Sequence, residues 1–107
     1  MANPRIERFQ KLIAAHPESH LPRFSLGNAY LDEGQYAAAA EQYELCIKGQ
    51  PDWAAALIAL GDARANLGDR EGAAVALRQG RDISFQQKHS TMAQEAIDKL
   101  EELGFED

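Results

Sequence analysis

Leu26-Gly27-Asn28-Ala29 and Leu60-Gly61-Asp62-Ala63 are two copies of one pattern, set 34 residues apart in a chain of 107. The same step carries Pro17 to Pro51, Gly34 to Gly68, Ala39 to Ala73, and Phe9 through Tyr43 to Leu77. A fixed period of roughly 20–50 residues signals a repeat architecture, in which one supersecondary unit stacks on the next. Short stacks of this kind present binding surfaces and seldom enclose a catalytic pocket.

Between its breakers every segment reads at helical period, and none alternates as a strand would. Asn3 before Pro4 predicts a helix start, a capping side chain followed by a proline that needs no donor. Ile6, Phe9, Leu12 and Ile13 give that helix one apolar stripe, broken at Pro17. A second helix is expected from about His20 to Asp32, with Pro22 in its first turn and Gly34 as a left-handed stop. A third, roughly Gln35 to Lys48, carries Ala39, Tyr43, Cys46 and Ile47 on one side and ends at Gly49 and Pro51. Asp52 is expected to cap a fourth from about Trp53 to Leu67, closed by Gly68. Asp69 opens a fifth through Ala73, Ala76, Leu77 and Gly80 and past Ile83. After a connection at Lys88-His89-Ser90, Ser90 or Thr91 caps a sixth, with Thr91-Met92-Ala93-Gln94 matching a capping box. Its apolar face is Met92, Ala96, Ile97, Leu100 and Leu103, and Gly104 ends it.

The fold class expected is therefore all-α, built of antiparallel helix-turn-helix repeats in a single domain over 1–107. Its parts are a half-repeat helix (4–17), a first repeat (20–53), a second repeat (54–87) and a capping helix (90–104). Gly27 and Gly61 let helix axes approach within each pair. Ala29, Ala39, Ala63 and Ala73 serve the same end, since larger side chains would overpack the contact.

Composition bounds the function. The net charge of −6 argues against nonspecific attraction to nucleic acid or anionic membranes. Much of it lies near the C-terminus, where Glu95, Asp98, Glu101, Glu102, Glu106 and Asp107 face only Lys99. Cys46 is the only cysteine, which leaves no intrachain disulfide and no Cys-rich metal site. The first residues carry charges where a signal peptide needs an apolar core, and the apolar run Trp53 to Leu60 is too short to span a bilayer. The reading is a cytoplasmic protein without a membrane partner.

These residues resemble the tetratricopeptide repeat (TPR) family. Its pattern of Leu-Gly, Ala, Tyr, a turn glycine, Ala, an aromatic and a closing Pro is met by Leu26, Gly27, Ala29, Tyr30, Gly34, Ala39, Tyr43 and Pro51. Leu60, Gly61, Ala63, Gly68, Ala73 and Leu77 repeat it, with Arg64 in place of the tyrosine and Phe85 in place of the closing proline. Arg23 replaces a large residue of the first copy, where the second has Leu57. The resemblance spans about residues 4–85 and leaves the sixth helix outside. It implies a right-handed α-solenoid with a C-terminal capping helix, acting as a non-enzymatic scaffold that binds protein.

Members of the family hold a peptide or helix on the concave surface made by the first helix of each pair. By that resemblance the partner-binding residues are Leu21, Phe24, Asn28, Leu31, Ala55, Ile58, Asp62 and Ala65, accompanied by Ser25, Asp32, Ala59 and Asn66. Trp53 at the groove edge reads either as a partner anchor or as a staple between pairs. The competing reading is that the first or sixth helix folds over these side chains and makes them core. Structural self-association into a homo-oligomer, through the groove or the terminal helices, is the rival function.

One subfamily grips the acidic tails of heat-shock chaperones with a carboxylate clamp of lysine and asparagine residues. Asn28 is present, but Phe24 stands at the lysine place, Ala59 at the second asparagine, and His89 and Ala93 where the basic pair belongs. Without the cations the charge-assisted bonds are lost, so a chaperone carboxylate-clamp ligand is not expected. No catalytic residues, cofactor or metal ligands stand out. His16 and His20 are separated by Pro17, His89 is distant, and Cys46 falls at a packing position. Arg64, Arg70, Arg78 and Arg81 read as a solvated or salt-bridged face, with Asp82 or the acidic sixth helix as partners.

Overall fold

The two Leu-Gly pairs sit where neighbouring helices pack tightly. In the computed structural model, which describes residues 3–106, a Cβ added at Gly27 would lie 2.6 Å from Cε1 of Tyr43. One added at Gly61 would lie 2.6 Å from Cγ of Leu77. Each glycine is a notch that receives the large side chain 16 residues further on, one helix later. That spacing makes each pair an antiparallel hairpin.

The described residues form six helices: α1 (Pro4–Ala15), α2 (Leu21–Asp32), α3 (Tyr36–Gly49), α4 (Ala54–Asn66), α5 (Arg70–Gln86) and α6 (Ser90–Glu102). Each packs on the next. In addition the backbones of α2 and α4, and of α4 and α6, come close, whereas those of α1, α3 and α5 stay apart from one another among the described residues. The helices therefore form an inner row of α2, α4 and α6 and an outer, splayed row of α1, α3 and α5. The stack is elongated at 40 × 28 × 20 Å, and its radius of gyration of 13.8 Å exceeds the roughly 13 Å of a compact domain this long. Asp107, one of the C-terminal acids, lies outside the described residues.

The α4–α5 pair is notched from both sides. While Leu77 fills the space at Gly61, Ile58 of α4 fills the space at Gly80, where a Cβ would meet Ile58 Cγ1 at 2.8 Å. Ile58, Ala74, Leu77, Ala96 and Leu100 make one core cluster, and Ala39, Ala40, Tyr43, Leu60, Ala63 and Ala76 make another. The interior is rich in alanine because helix backbones this close leave little room between them.

Helix ends follow local chemistry closely, with two exceptions. Asn3 accepts from Arg5 N–H at 2.9 Å and Asp69 from Gly72 N–H at 3.0 Å, as capping side chains do. Asp52 does not cap α4. The helix begins at Ala54, so Trp53 is the capping residue, without a side-chain bond. The Asp52 carbonyl instead accepts from Gln87 Nε2 at 3.0 Å. The cap expected at Ser90 or Thr91, and the box at Thr91–Gln94, are also absent, because α6 already begins at Ser90 and His89 is the capping residue, without a side-chain bond. Gln94 Nε2 donates to Asp98 Oδ1 at 2.9 Å instead.

Four helices end in the same motif, in which the residue after the C-cap turns left-handed and its N–H and that of the following residue bond back into the last turn. In α2, Gly34 N–H bonds to Leu31 O and Gln35 N–H to Tyr30 O. Gly68 and Gly104 do the same for α4 and α6, with φ of 84° and 86°. In α5 the position falls to Lys88, at φ 63°. The cause lies three residues earlier. Phe85 replaces the proline that stops the equivalent helix, so α5 runs on to Gln86 and its end falls where no glycine is available.

Two outcomes follow. Lys88→Gly relieves a left-handed penalty of about 1 kcal/mol, so thermal unfolding should shift upward by a few degrees. Gly61→Ala gains helix propensity but drives a methyl into Leu77 and towards the Ala73 carbonyl, so it should cost about 1–3 kcal/mol. Combined with Leu77→Ala, the loss should fall short of the sum of the two single losses in a denaturant-unfolding cycle.

Candidate interaction groove

The 34-residue step that relates Phe24 to Ile58 leads on to Met92, which places one apolar side chain on each inner helix. Between them α4 carries only methyl groups, at Ala55 and Ala59. The result is an open concavity of about 250 Å³ on the inner face. It is lined by Phe24 and Leu31 of α2, by Ala55, Ile58, Ala59 and Asp62 of α4, and by Met92, Glu95 and Lys99 of α6.

The residues expected on this surface divide into three groups. Phe24, Leu31, Ala55, Ala59 and Asp62 come together around the concavity. Ile58 forms its floor but is only 3 % exposed, because its side chain is spent in the Gly80 notch. The others stand apart from the lining. Leu21 projects from the start of α2 at 64 % exposure, Ala65 is half-buried, and Asp32 is 3.2 Å from the Arg5 guanidinium. Asn66 Nδ2 donates to the Asp62 carbonyl at 2.8 Å.

Asn28 is committed to the fold. Its Oδ1 accepts the Tyr43 hydroxyl at 2.6 Å, the bond that a buried tyrosine needs. Burial pushes the Tyr43 phenol well above its usual pKa, with Asp32, Asp62 and Cys46 adding to the effect, so the hydroxyl keeps the proton it donates. Phe24 is similarly engaged. Its ring lies 4.8 Å from Trp53 and 5.9 Å from Tyr43, both tilted. Trp53 thus bridges the α3–α4 turn to α2, and Phe24 presents one face inward while the rest of its ring packs.

Met92, Glu95 and Lys99 were not anticipated as lining residues. The signal was present in the period, since Met92 is the third term of 24, 58 and 92. It was obscured because α6 lacks the Leu-Gly pair. Lys99 Nζ stands 3.5 Å from Asp62 Oδ1, an ion pair that joins α6 to α4 at the rim. Glu95 is exposed.

The arginine streak serves structure. Arg64, in place of the repeat tyrosine, donates to the Gly72 carbonyl at 3.2 Å. Arg81 meets Asp82 at 2.9 Å. Arg70 donates to the Leu103 carbonyl at 2.6 Å, and the guanidinium groups of Arg70 and Arg78 lie 4.3 and 5.0 Å from the Phe105 ring centroid. Two cation–π contacts thereby fasten the chain beyond α6 onto α5. Arg23 donates to the Pro17 and Ser19 carbonyls at 2.8 and 2.9 Å and holds the α1–α2 turn.

Cys46 is fully buried, its thiol 3.6 Å from the His20 carbonyl oxygen. Burial pushes its pKa from 9.0 to about 11, against a small opposing pull from Arg23. Among the described residues no three His, Cys, Asp or Glu side chains are grouped to hold a metal ion, and no helix is long and apolar enough to cross a membrane.

Because Cys46 and Tyr43 both have raised pKa values in the fold, the unfolded chain loses their protons first as pH rises. Stability should be intact below pH 9 and decline towards pH 11. Tyr43→Phe and Cys46→Ala should each flatten that decline in urea titrations. At pH 8 the native thiol should react slowly with a disulfide reagent and rapidly once the chain is unfolded.

Comparison with known proteins agrees with this architecture. A family model described as tetratricopeptide repeat matches residues 23–52. The chain is 40% identical over 75 residues to the TPR repeat-containing protein PA0015 of Pseudomonas aeruginosa, an alignment covering 70% of this chain and 71% of that one. Three solved structures are similar in fold. The crystal structure of PcrH in complex with the chaperone binding region of PopD aligns with a TM-score of 0.87 at 21% identity, over 92% of this chain and 75% of that chain. The solution structure of protein BPP2914 from Bordetella parapertussis aligns with a TM-score of 0.83 at 26% identity, over 97% and 90%. The crystal structure of MamA aligns with a TM-score of 0.69 at 21% identity, over 92% and 64%.

Proposed function

The chain belongs to the tetratricopeptide repeat family, and from that membership we propose that it is a non-enzymatic interaction module that seats a segment of a partner protein in the concave groove of α2, α4 and α6. The observation that carries this reading is the concavity over Ala55 and Ala59. Apolar side chains from three helices converge there and leave room for another side chain. A partly apolar recess edged by charged groups is the usual form of a recognition site. The PcrH complex adds support, since a fold of this shape there holds a region of another protein. Leu31 and Phe24 supply one wall, Met92 and the stem of Lys99 the other.

Truncating Phe24 would disturb its packing on Trp53 and Tyr43, so filling the groove is the cleaner test. Ala55→Leu and Ala59→Leu extend side chains into open space and should change stability by about 0.5 kcal/mol or less. Proteins retained from a cell extract by the immobilised chain should be lost with either variant while the circular dichroism spectrum is unchanged. Retention of the same proteins by both folded variants would sink the groove reading.

Self-association has one observation in its favour. No residue of α1 is buried, and Leu12 on it is 40 % exposed. On that reading light scattering should show a concentration-dependent oligomer that Leu12→Glu returns to monomer.

A further inference from the structure

Given the groove reading on which it rests, we infer that the occupant is a protein segment pairing one aliphatic, Met or Phe side chain with a neighbouring Lys or Arg. The apolar half follows from the recess itself, whose floor is Ile58 and whose open space lies over Ala55 and Ala59. The basic half follows from the charges around it. On the rim, Asp62 and Lys99 already neutralise one another at 3.5 Å. The Glu95 carboxylate has no hydrogen bond or ion pair among the described residues, and it borders the recess and both adjoining hollows along α6. The hollow towards the end of α6 adds Asp98 and Glu102. The one towards its start carries Lys88 and His89, so the field is graded, with its negative pole beside the C-terminal half of α6.

The helix arrangement strengthens that pole. In an antiparallel stack α2, α4 and α6 run the same way, so their C-terminal ends share one edge of the groove. Helix C-termini favour cations. In this chain α4 and α6 each carry one cation in the last turn, Arg64 bonded to the Gly72 carbonyl and Lys99 paired with Asp62, but Asp32 and Glu33 close α2, and Glu101 and Glu102 close α6. On α2 the charges are met by Arg5 and by the Asn3 amide, whereas Glu101 and Glu102 have no ion pair among the described residues. Acids in the last turn oppose folding, and a cationic side chain lying across that edge relieves the opposition. An acidic segment meets the opposite situation, since the lysine within the recess is already paired.

A random twelve-residue peptide library displayed on phage, panned against the full chain at low and high salt, tests this. The enriched peptides should share an apolar residue beside a Lys or Arg. They should be lost on Ala59→Leu, bind roughly tenfold more weakly to Glu95→Lys, and weaken with salt. Peptides that are lost on Ala59→Leu yet lack a basic residue, or carry acidic ones, would overturn the charge inference and leave the groove reading standing. Peptides indifferent to Ala59→Leu, or no enrichment at all, would overturn both. Circular dichroism of each variant confirms that the bait is folded, and an oligomer that light scattering finds for the unaltered chain and not for Ala59→Leu would place a second copy in the recess and overturn the foreign segment as occupant.

Discussion

Close approach of helix backbones at Gly27 and Gly61 is the condition on which the rest of this molecule depends. With no side chain at those points, Tyr43 and Leu77 can lie directly against the facing helix. A cascade follows. Tyr43 becomes fully buried, its hydroxyl must find a partner, and Asn28 supplies one at 2.6 Å. Phe24 then packs against the Tyr43 ring, and Trp53 packs in turn on Phe24. A residue type that a ligand could have used on the concave face is thereby drawn into holding the pair together.

The groove comes from the same economy of side-chain volume. α4 is flanked by α2, α3, α5 and α6, so large residues on it are already occupied. Ile58 points to Gly80, and Leu57 and Leu60 are buried. What remains on its inner face is Ala55 and Ala59, too short to reach the neighbouring walls. A cavity left between well-packed elements is the physical origin of the site.

At the C-terminal end the stack is closed by different means. α6 presents Gln94, Asp98 and Glu101 outward, all exposed, while Ala93, Ala96 and Leu100 are buried. A polar outer face of this kind suits the terminal helix of a repeat array. Phe105 then folds back between Arg70 and Arg78, and the Arg70 bond to the Leu103 carbonyl holds the turn at Gly104. The arginines that read as a surface streak act as a latch.

Much of this was legible in the residues themselves. Helix number, the turns at Gly34, Gly68 and Gly104, the Asn3 and Asp69 caps, and the packing role of Leu-Gly all depend on a residue and its near neighbours. A period, a breaker or a left-handed turn is written within a few positions, and the 34-residue step repeats it. The caps assigned to Asp52 and to Ser90 or Thr91 missed by one or two residues, since Trp53 and His89 hold those places, because helix starts were set by how α4 and α6 dock. Ile58 and Asn28 belong to the right helix face, yet Gly80 and Tyr43, 22 and 15 residues away, decided where their side chains went. Met92, Glu95 and Lys99 entered the groove only because α6 stacks as a third inner helix, and Phe105 found its place only through Arg70 and Arg78. Sequence alone determined the repeat and its hinges, since those rest on local backbone sterics. Tertiary structure decided which side chains remain free to meet a partner, since that depends on what the neighbouring helix has already claimed.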